Sequence, residues 1–216
     1  MKINFLGDSI TAGGGAGSLE KSYVSVVEKL TGYEVRRYGE GGTRIAKQTV
    51  PSSVLTYDED FIKRAKKMNE DADFVFVFGG TNDYGHGDAP LGRFEDKNPY
   101  TFYGALRTLL EYLIAVYGKE KLCFITPLHR YLEDDPRGEG GGKRVPVAPL
   151  SRYVEIIREV TGFYGVALMD LYAENFLPVP TTDKGDEYTA DGLHPNAEGH
   201  ERLAKRIVRY IREDLE

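Results

Sequence analysis

The sequence has almost none of the residue from which disulfide frameworks and thiolate metal clusters are built. It holds one cysteine, Cys123, among 216 residues. One thiol can form no internal disulfide and no cysteine metal cluster. Cys123 lies in the apolar run KLCFIT, which predicts a buried core thiol.

Positive charge is not in excess, and no basic tract is present. Lys and Arg total 28 against 34 Asp and Glu, a formal net charge of −6. Nucleic-acid-binding proteins concentrate positive charge on one surface. We therefore expect no nucleic-acid partner.

Long apolar runs are missing as well. No run approaches the roughly 20 residues of a membrane span, and Met1 leads into the first predicted strand without the basic and apolar regions of a secretion signal. We expect a soluble protein, cytoplasmic unless a signal has been removed.

No Pro- or Ser-rich linker divides the chain, so we expect one domain over residues 1–216.

What the sequence does contain is a regular alternation of strand and helix patterns. Strands are predicted at 2–7, 34–38, 73–79, 121–127 and 166–171. Helices are predicted at 20–32, 58–70, 101–118, 148–163 and 196–214. This alternation predicts a three-layer α/β/α fold, with a five-stranded parallel sheet between two layers of helices.

Four polar, glycine-rich segments stand out, three of them directly after strands. In parallel α/β sheets, ligands bind at the carboxyl ends of the strands. The segments are Gly7-Asp8-Ser9, Gly39-Glu40-Gly41-Gly42-Thr43, Gly79-Gly80-Thr81-Asn82-Asp83 and Asp191-Gly192-Leu193-His194. Each is also compatible with an ordinary turn. Together they supply a hydroxyl, unshielded backbone amides, a side-chain amide and an acid near an imidazole, as a serine hydrolase requires.

A nucleophilic serine needs a base, and the base needs an orienting acid. Among the four histidines we select His194 as the base, with the carboxylate of Asp191 three residues earlier to orient it. An offset of three residues in a turn or at a helix start puts both side chains on one side. We therefore predict Ser9 as nucleophile, His194 as base and Asp191 as the acid that orients it.

The developing oxyanion needs preset hydrogen-bond donors. The candidates are the backbone N–H groups of Ser9 and Gly42 and the side-chain amide of Asn82. A side chain at Gly42 would crowd the approaching substrate, which is our reason for a glycine there. A flexible turn at Gly42 and a self-bonded turn amide at Asn82 are the alternatives.

These motifs resemble those of the SGNH/GDSL hydrolase family, which has a serine in GDS, a glycine, an asparagine in GxND and a histidine in DxxH. The resemblance spans residues 5 to about 200. It implies a flavodoxin-like fold, no cofactor, no metal, and the roles assigned above. Two positions depart from the family pattern: Ile10 stands where Leu is usual, and Arg37 where many relatives have Asn. The second leaves open whether Gly41 or Gly42 is the donor.

Two long loops are predicted to wall the pocket, at 84–104 and 129–146, the second being either a mobile lid or disordered. Residues that could contact a sugar there are Tyr84, His86, Arg93, Phe94, Phe102, Tyr103, His129, Arg130 and Tyr131. Predicted substrate-binding residues are Asp8, Gly41, Thr81, Tyr84 and His129. No long apolar groove is evident, so a short acyl ester, plausibly of an acetylated saccharide, is the expected substrate.

Three other functions fit parts of the pattern. A lysophospholipase or thioesterase of the same family would use the same residues on a longer acyl chain. A metal-dependent phosphoesterase needs further His and Asp ligands, including a DxH pair that the sequence lacks. A non-catalytic binding module would keep the fold but lose the nucleophile or the base, and this sequence has both. The oligomeric state does not follow from the sequence.

Overall fold

A five-stranded, all-parallel sheet forms the centre of the molecule in the computed structural model, which describes residues 1–215. The strands are β1 (Lys2–Gly7), β2 (Glu34–Gly39), β3 (Phe74–Phe78), β4 (Leu122–Ile125) and β5 (Ala167–Met169). They lie in the order β2-β1-β3-β4-β5. The predicted three-layer α/β/α class is confirmed, and each predicted strand is present with ends shifted by a few residues or less.

Helices connect successive strands. They are α1 (Ser9–Ala12), α2 (Tyr23–Thr31), α3 (Phe61–Ala65), α4 (Thr81–Gly85), α5 (Phe102–Tyr117), α6 (Leu150–Tyr164) and α7 (Ala197–Tyr210). Short 3₁₀ turns occur at Leu19–Lys21, Leu55–Asp58, Lys119–Lys121 and Glu139–Gly141, and a π-helical turn at Ile211–Leu215 follows α7. Within residues 1–215, no helix combines the length and the apolar character needed to cross a bilayer.

Two apolar cores lie on opposite faces of the sheet. On one face α2 and α7 pack over Phe5 and Phe76, whose rings stack 5.1 Å apart. On the other face α3, α5 and α6 pack over Val75 and Val77. All five residues of β3 are buried, as expected of a central parallel strand covered on both sides. Cys123 is buried in the first core, as predicted.

Some helices differ from the sequence-based prediction. The charged helix expected at 58–70 is confined to α3, because Asp60 caps it from one side and the polar run after Ala65 offers little apolar surface to bury. The helix expected from residue 20 begins at Tyr23. Leu30, which is at helical spacing from Tyr23 and Val27, is exposed, whereas Val24 is buried.

The strand order reverses between β1 and β3, and this determines where a site can form. Gly7, at the end of β1, lies opposite Gly39 of β2 on one side and Phe78 of β3 on the other. The chain segments that leave these three strands therefore start from neighbouring points on one edge. Such a reversal is the place where α/β sheets bind ligands.

The packing of the central strand gives a stability prediction. Phe76→Ala should lower the free energy of unfolding by about 3–5 kcal/mol, because it leaves a cavity beside Phe5 in a fully buried position. Phe163→Ala is the matched control, since the Phe163 side chain is 62% exposed and its loss should cost less than about 1 kcal/mol. Denaturant unfolding of both variants measures the difference, and equal losses would contradict this core.

Candidate active site

Ser9 is the first residue of α1 and lies two residues after the end of β1. The side chain of Asp8 caps this helix by accepting a hydrogen bond of 3.0 Å from the Ile10 N–H. Asp8 itself is buried, and burial raises the pKa of its carboxyl to about 6. Asp8 thus holds the turn that presents Ser9.

The side chain of His194 reaches Ser9 from the other end of the chain. Its Nε2 lies 2.9 Å from the Ser9 Oγ, and its Nδ1 lies 2.7 Å from Asp191 Oδ2. Because a carboxylate only accepts hydrogen bonds, Nδ1 donates to Asp191, and Nε2 of the neutral ring is left to accept the Ser9 hydroxyl proton. The three side chains that the sequence singled out are therefore in contact in the order Ser9, His194, Asp191.

Asp191 is held in place by its own turn. Its Oδ1 accepts from the backbone N–H groups of Leu193 at 3.1 Å and His194 at 2.8 Å. Partial burial raises the pKa of Asp191, but the hydrogen bonds from the backbone and ring of His194 outweigh it, so the pKa lies below its ordinary value. The carboxyl group consequently stays ionised where it orients the imidazole.

The glycine run after α1 packs directly against the side chain of His194. A Cβ on Gly14 would lie 2.9 Å from His194 Cδ2, and one on Gly15 would lie 2.8 Å from His194 Cβ. His200 holds this glycine run in position. Its Nε2 donates to the Gly14 carbonyl at 2.9 Å, and its Nδ1 accepts from the Tyr23 N–H at 3.2 Å. Those two bonds require a neutral ring, and burial accordingly lowers the pKa of His200.

Gly41 and Gly42 lie beside Ser9 on the loop after β2. A Cβ built on Gly41 would be 3.8 Å from Ser9 Cβ, which is an ordinary contact distance. Gly42 has φ +72°, and a Cβ there would lie 2.1 Å from the ring of Tyr57. The reason given above for a glycine at 42 is thus corrected: backbone conformation and Tyr57, not the substrate, exclude a side chain.

Asn82 links the loop after β3 to this glycine loop. Its Nδ2 donates to the Thr43 carbonyl at 3.0 Å, which uses one of its two amide hydrogens. This bond rules out the expected alternative of an amide bonded only to its own turn.

Two buried side chains, Asp83 and Arg64, hold the glycine loop and the end of β1 in position. The Asp83 carboxylate accepts from the N–H groups of Ile45 and Ala46, each at 2.9 Å, and burial raises its pKa to about 6. The Arg64 guanidinium donates to the Gly7 carbonyl at 2.8 Å and to the Thr43 hydroxyl at 2.8 Å. Burial lowers the pKa of Arg64 to about 10. The ends of β1 and the glycine loop are thereby joined.

The structure corrects two predicted substrate contacts. Tyr84 is fully buried, and its hydroxyl donates to the Leu132 carbonyl. His129 is buried with both ring nitrogens engaged, Nδ1 by Glu133 at 2.7 Å and Nε2 by the Tyr172 carbonyl at 3.1 Å. Both side chains support the loops from inside and present no polar atom to a substrate.

Asp8 and Thr81, also predicted to bind substrate, are likewise buried beneath the site. The Thr81 hydroxyl accepts from Arg130 at 3.2 Å. Phe102 and Tyr103, named as possible sugar contacts, are core residues of α5. Of the five predicted substrate-binding residues, Gly41 alone lies beside Ser9 with space around it.

The loop at 129–146 is anchored by a buried lysine. The Lys143 ammonium donates to the Asp83 carbonyl and to the Tyr153 hydroxyl, each at 2.8 Å, and burial lowers its pKa to about 8. Arg130 and Glu139 of the same loop form an ion pair of 3.1 Å. The loop is therefore ordered and fastened to the helix that carries Asn82.

Sequence reasoning missed several residues that shape the site. Arg64 was treated only as part of a predicted helix, and His200 was assigned no role. The Arg64–Gly7 contact joins residues that are 57 positions apart in the sequence, and the His200–Gly14 contact joins residues that are 186 positions apart. The run of glycines at 13–15 was the available signal for a close approach.

A cavity of about 370 Å³ opens beside His194. Its lining residues are Arg130, Tyr131, Leu132, Glu139, Gly140, Asp183, Asp191, Gly192, Leu193 and His194. Most of these side chains are polar or charged. Within residues 1–215, no group of three or more His, Cys, Asp or Glu side chains is arranged to hold a metal ion.

Solved structures share the fold of this chain. A crystal structure of a protein from Lactobacillus plantarum is 30% identical, with a TM-score of 0.80 over 100% of this chain and 98% of the other. A lipase/acylhydrolase from Enterococcus faecalis is 27% identical, with a TM-score of 0.65 over 97% of this chain and 94% of the other. No curated protein matches the sequence significantly.

The family comparison covers nearly the whole chain. Residues 5–202 match the model of the GDSL-like lipase/acylhydrolase family. This range includes the Ser9 turn, the glycine loop, Asn82 and the Asp191–His194 turn. The chain therefore belongs to the GDSL-like lipase/acylhydrolase family.

Proposed function

We propose that the protein is a serine esterase that hydrolyses short-chain acyl esters, with acetyl as the preferred acyl group and a saccharide as the alcohol. The observation that carries the proposal is the pair of contacts at His194, 2.9 Å to the Ser9 Oγ and 2.7 Å to Asp191. They supply a nucleophile, a base and an oriented tautomer without further rearrangement.

The reaction has two halves. His194 Nε2 takes the Ser9 proton as the Ser9 Oγ attacks the ester carbonyl, and the resulting imidazolium then gives that proton to the departing alcohol oxygen. Water attacks the acyl-enzyme with the same base, and the proton returns to the Ser9 Oγ as the acid is released. Asp191 stays ionised throughout and stabilises the imidazolium.

The oxyanion receives hydrogen bonds from three donors in the proposal: the backbone N–H groups of Ser9 and Gly42 and the Asn82 amide. The support is positional. Asn82 is tied to Thr43, the residue after Gly42, at 3.0 Å, and Asp83 clamps the next part of the same loop. Donors fixed in this way stabilise the charged intermediate without reorganising.

The charged side chains in the wall of the cavity beside His194 support a substrate with a hydrophilic alcohol. A long acyl chain is retained by burying methylene groups, each worth about 0.8 kcal/mol. The lining of this cavity includes Arg130, Glu139, Asp183 and Asp191. Such walls suit the hydroxyl groups of a saccharide better than a fatty chain.

Replacing the nucleophile or the base tests the reaction class. Ser9→Ala and His194→Ala should each lower kcat on p-nitrophenyl acetate on the order of 10⁴-fold with the fold intact. A fluorophosphonate probe should label the wild type at Ser9, as mapped by peptide mass spectrometry. Ser53→Ala, at an exposed serine, is the control and should keep full activity. Unchanged turnover in either site variant would disprove the mechanism.

Asn82→Ala tests the proposed oxyanion donor. We expect kcat to fall about 10²–10³-fold with KM near its starting value, because the lost hydrogen bond forms mainly in the transition state. Asn69→Ala, at an exposed amide, is the matched control. A change confined to KM would show that Asn82 serves only ground-state binding.

The acyl preference is tested with p-nitrophenyl esters of increasing chain length. We expect kcat/KM to be highest for acetate and to decline as methylene groups are added, because no long apolar run of the sequence predicts a groove in which they could be buried. A maximum beyond about eight carbons, where each methylene is worth about 0.8 kcal/mol of burial, would support the lysophospholipase or thioesterase alternative instead.

A further inference from the structure

The position of His194 determines on which side of the site the alcohol must lie. The imidazolium gives its proton to the departing alcohol oxygen, so that oxygen has to lie within hydrogen-bond reach of Nε2. The cavity of about 370 Å³ has His194 in its wall. Its volume falls in the range of roughly 300–1,000 Å³ that small-molecule sites occupy.

The walls of this cavity are held together by specific contacts. The Tyr131 N–H donates to the Gly192 carbonyl at 2.8 Å, which joins the loop after β4 to the Asp191–His194 turn. Gly192 has φ +75°, and a Cβ there would lie 2.4 Å from the Thr182 carbonyl. The segment that carries Asp183 is therefore packed directly against the turn that carries the base.

The charges in the walls do not cancel. Arg130 is paired with Glu139 at 3.1 Å, and this pair is neutral as a unit. Asp191 is hydrogen-bonded to His194 and not to a Lys or Arg side chain. Asp183 is exposed, and among residues 1–215 it has no ion-pair partner. Two carboxylates thus remain without a compensating Lys or Arg side chain in the lining.

We propose that this cavity binds the alcohol half of the ester and selects uncharged polyhydroxy alcohols over anionic ones, with Asp183 as a specificity-determining residue. The inference rests on the proposed esterase function. Carboxylates accept hydrogen bonds from sugar hydroxyl groups, whereas an alcohol that carries a carboxylate or phosphate is repelled by the same groups. The Tyr131 ring adds a face on which a sugar ring can pack.

The test compares two esters that share an acetyl group and differ in the charge of the alcohol. These are an acetylated methyl glucoside and the corresponding acetylated glucuronate, with the acetyl group on the same hydroxyl. For the wild type we expect kcat/KM to be at least about tenfold higher for the neutral ester, at low ionic strength where charges are least screened. Asp183→Asn should narrow that ratio about three- to tenfold, chiefly by improving turnover of the anionic ester.

Asp134→Asn is the matched control, because it makes the same charge change at an exposed position in the neighbouring loop outside the cavity lining. It should leave the ratio unchanged. An equal shift in both variants would show a general field effect and overturn the assignment to this cavity. A wild-type preference for the anionic ester, or an unaltered ratio in Asp183→Asn, would also overturn it.

A second variant separates binding in the cavity from charge alone. Tyr131→Ala keeps the backbone bond to Gly192 and removes the ring, so it should lower kcat/KM for both sugar esters several-fold, and an unchanged value would overturn the sugar-binding role.

Hydrolysis of p-nitrophenyl acetate distinguishes a failure of the cavity assignment from a failure of the proposed esterase function. If the wild type hydrolyses it and Ser9 is labelled while the sugar-ester ratio does not respond, only the cavity assignment fails. If neither occurs, the proposed function fails, and this inference fails with it.

Discussion

The contact between the Ser9 Oγ and His194 Nε2, at 2.9 Å, joins groups 185 residues apart, and the rest of the site depends on it. The parallel sheet brings the Ser9 turn to one edge, and the start of α7, capped by Asn196, carries the histidine to the same edge. Gly14 and Gly15 bring backbone against the imidazole where a side chain would collide. A site whose parts are so distant in sequence exists only when the whole sheet has formed, so stability and chemistry are coupled in this fold.

A layer of buried polar groups lies beneath the catalytic edge and explains why the loops keep their positions. Asp83 binds two backbone amides of the glycine loop, and Arg64 binds the end of β1 and Thr43. The raised pKa of Asp8 and of Asp83, each about 6, records the cost of burying their charge. Because these pKa values lie above those of the unfolded chain, protonation of Asp8 and Asp83 stabilises the folded state. That stabilisation is complete below about pH 4 and is lost as pH rises through 6.

The order and type of the main elements could be predicted because parallel strands covered on both faces are continuously apolar, as β3 is throughout. The candidate catalytic residues could be predicted because each motif follows the end of a strand or precedes a helix. Exposure could not be predicted in the same way. Tyr84 and His129 stand in segments that the sequence predicts to be pocket walls. In the structure, the Leu132 and Tyr172 carbonyls and Glu133 bind their polar atoms inside the molecule. Which side of a loop faces solvent depends on partners far away in sequence.

The sequence by itself determined the family, the sheet and the candidate serine, histidine and aspartate, because local patterns and short spacings carry that information. Only the tertiary structure decided the reason for the glycine at 42, the roles of Arg64 and His200, and the character of the cavity beside His194. Tyr57 meets Gly42, His200 binds Gly14, and Asp183 packs near the His194 turn through Gly192. Those contacts arise where separate loops converge on one edge, and convergence is a property of the folded sheet that no local pattern encodes.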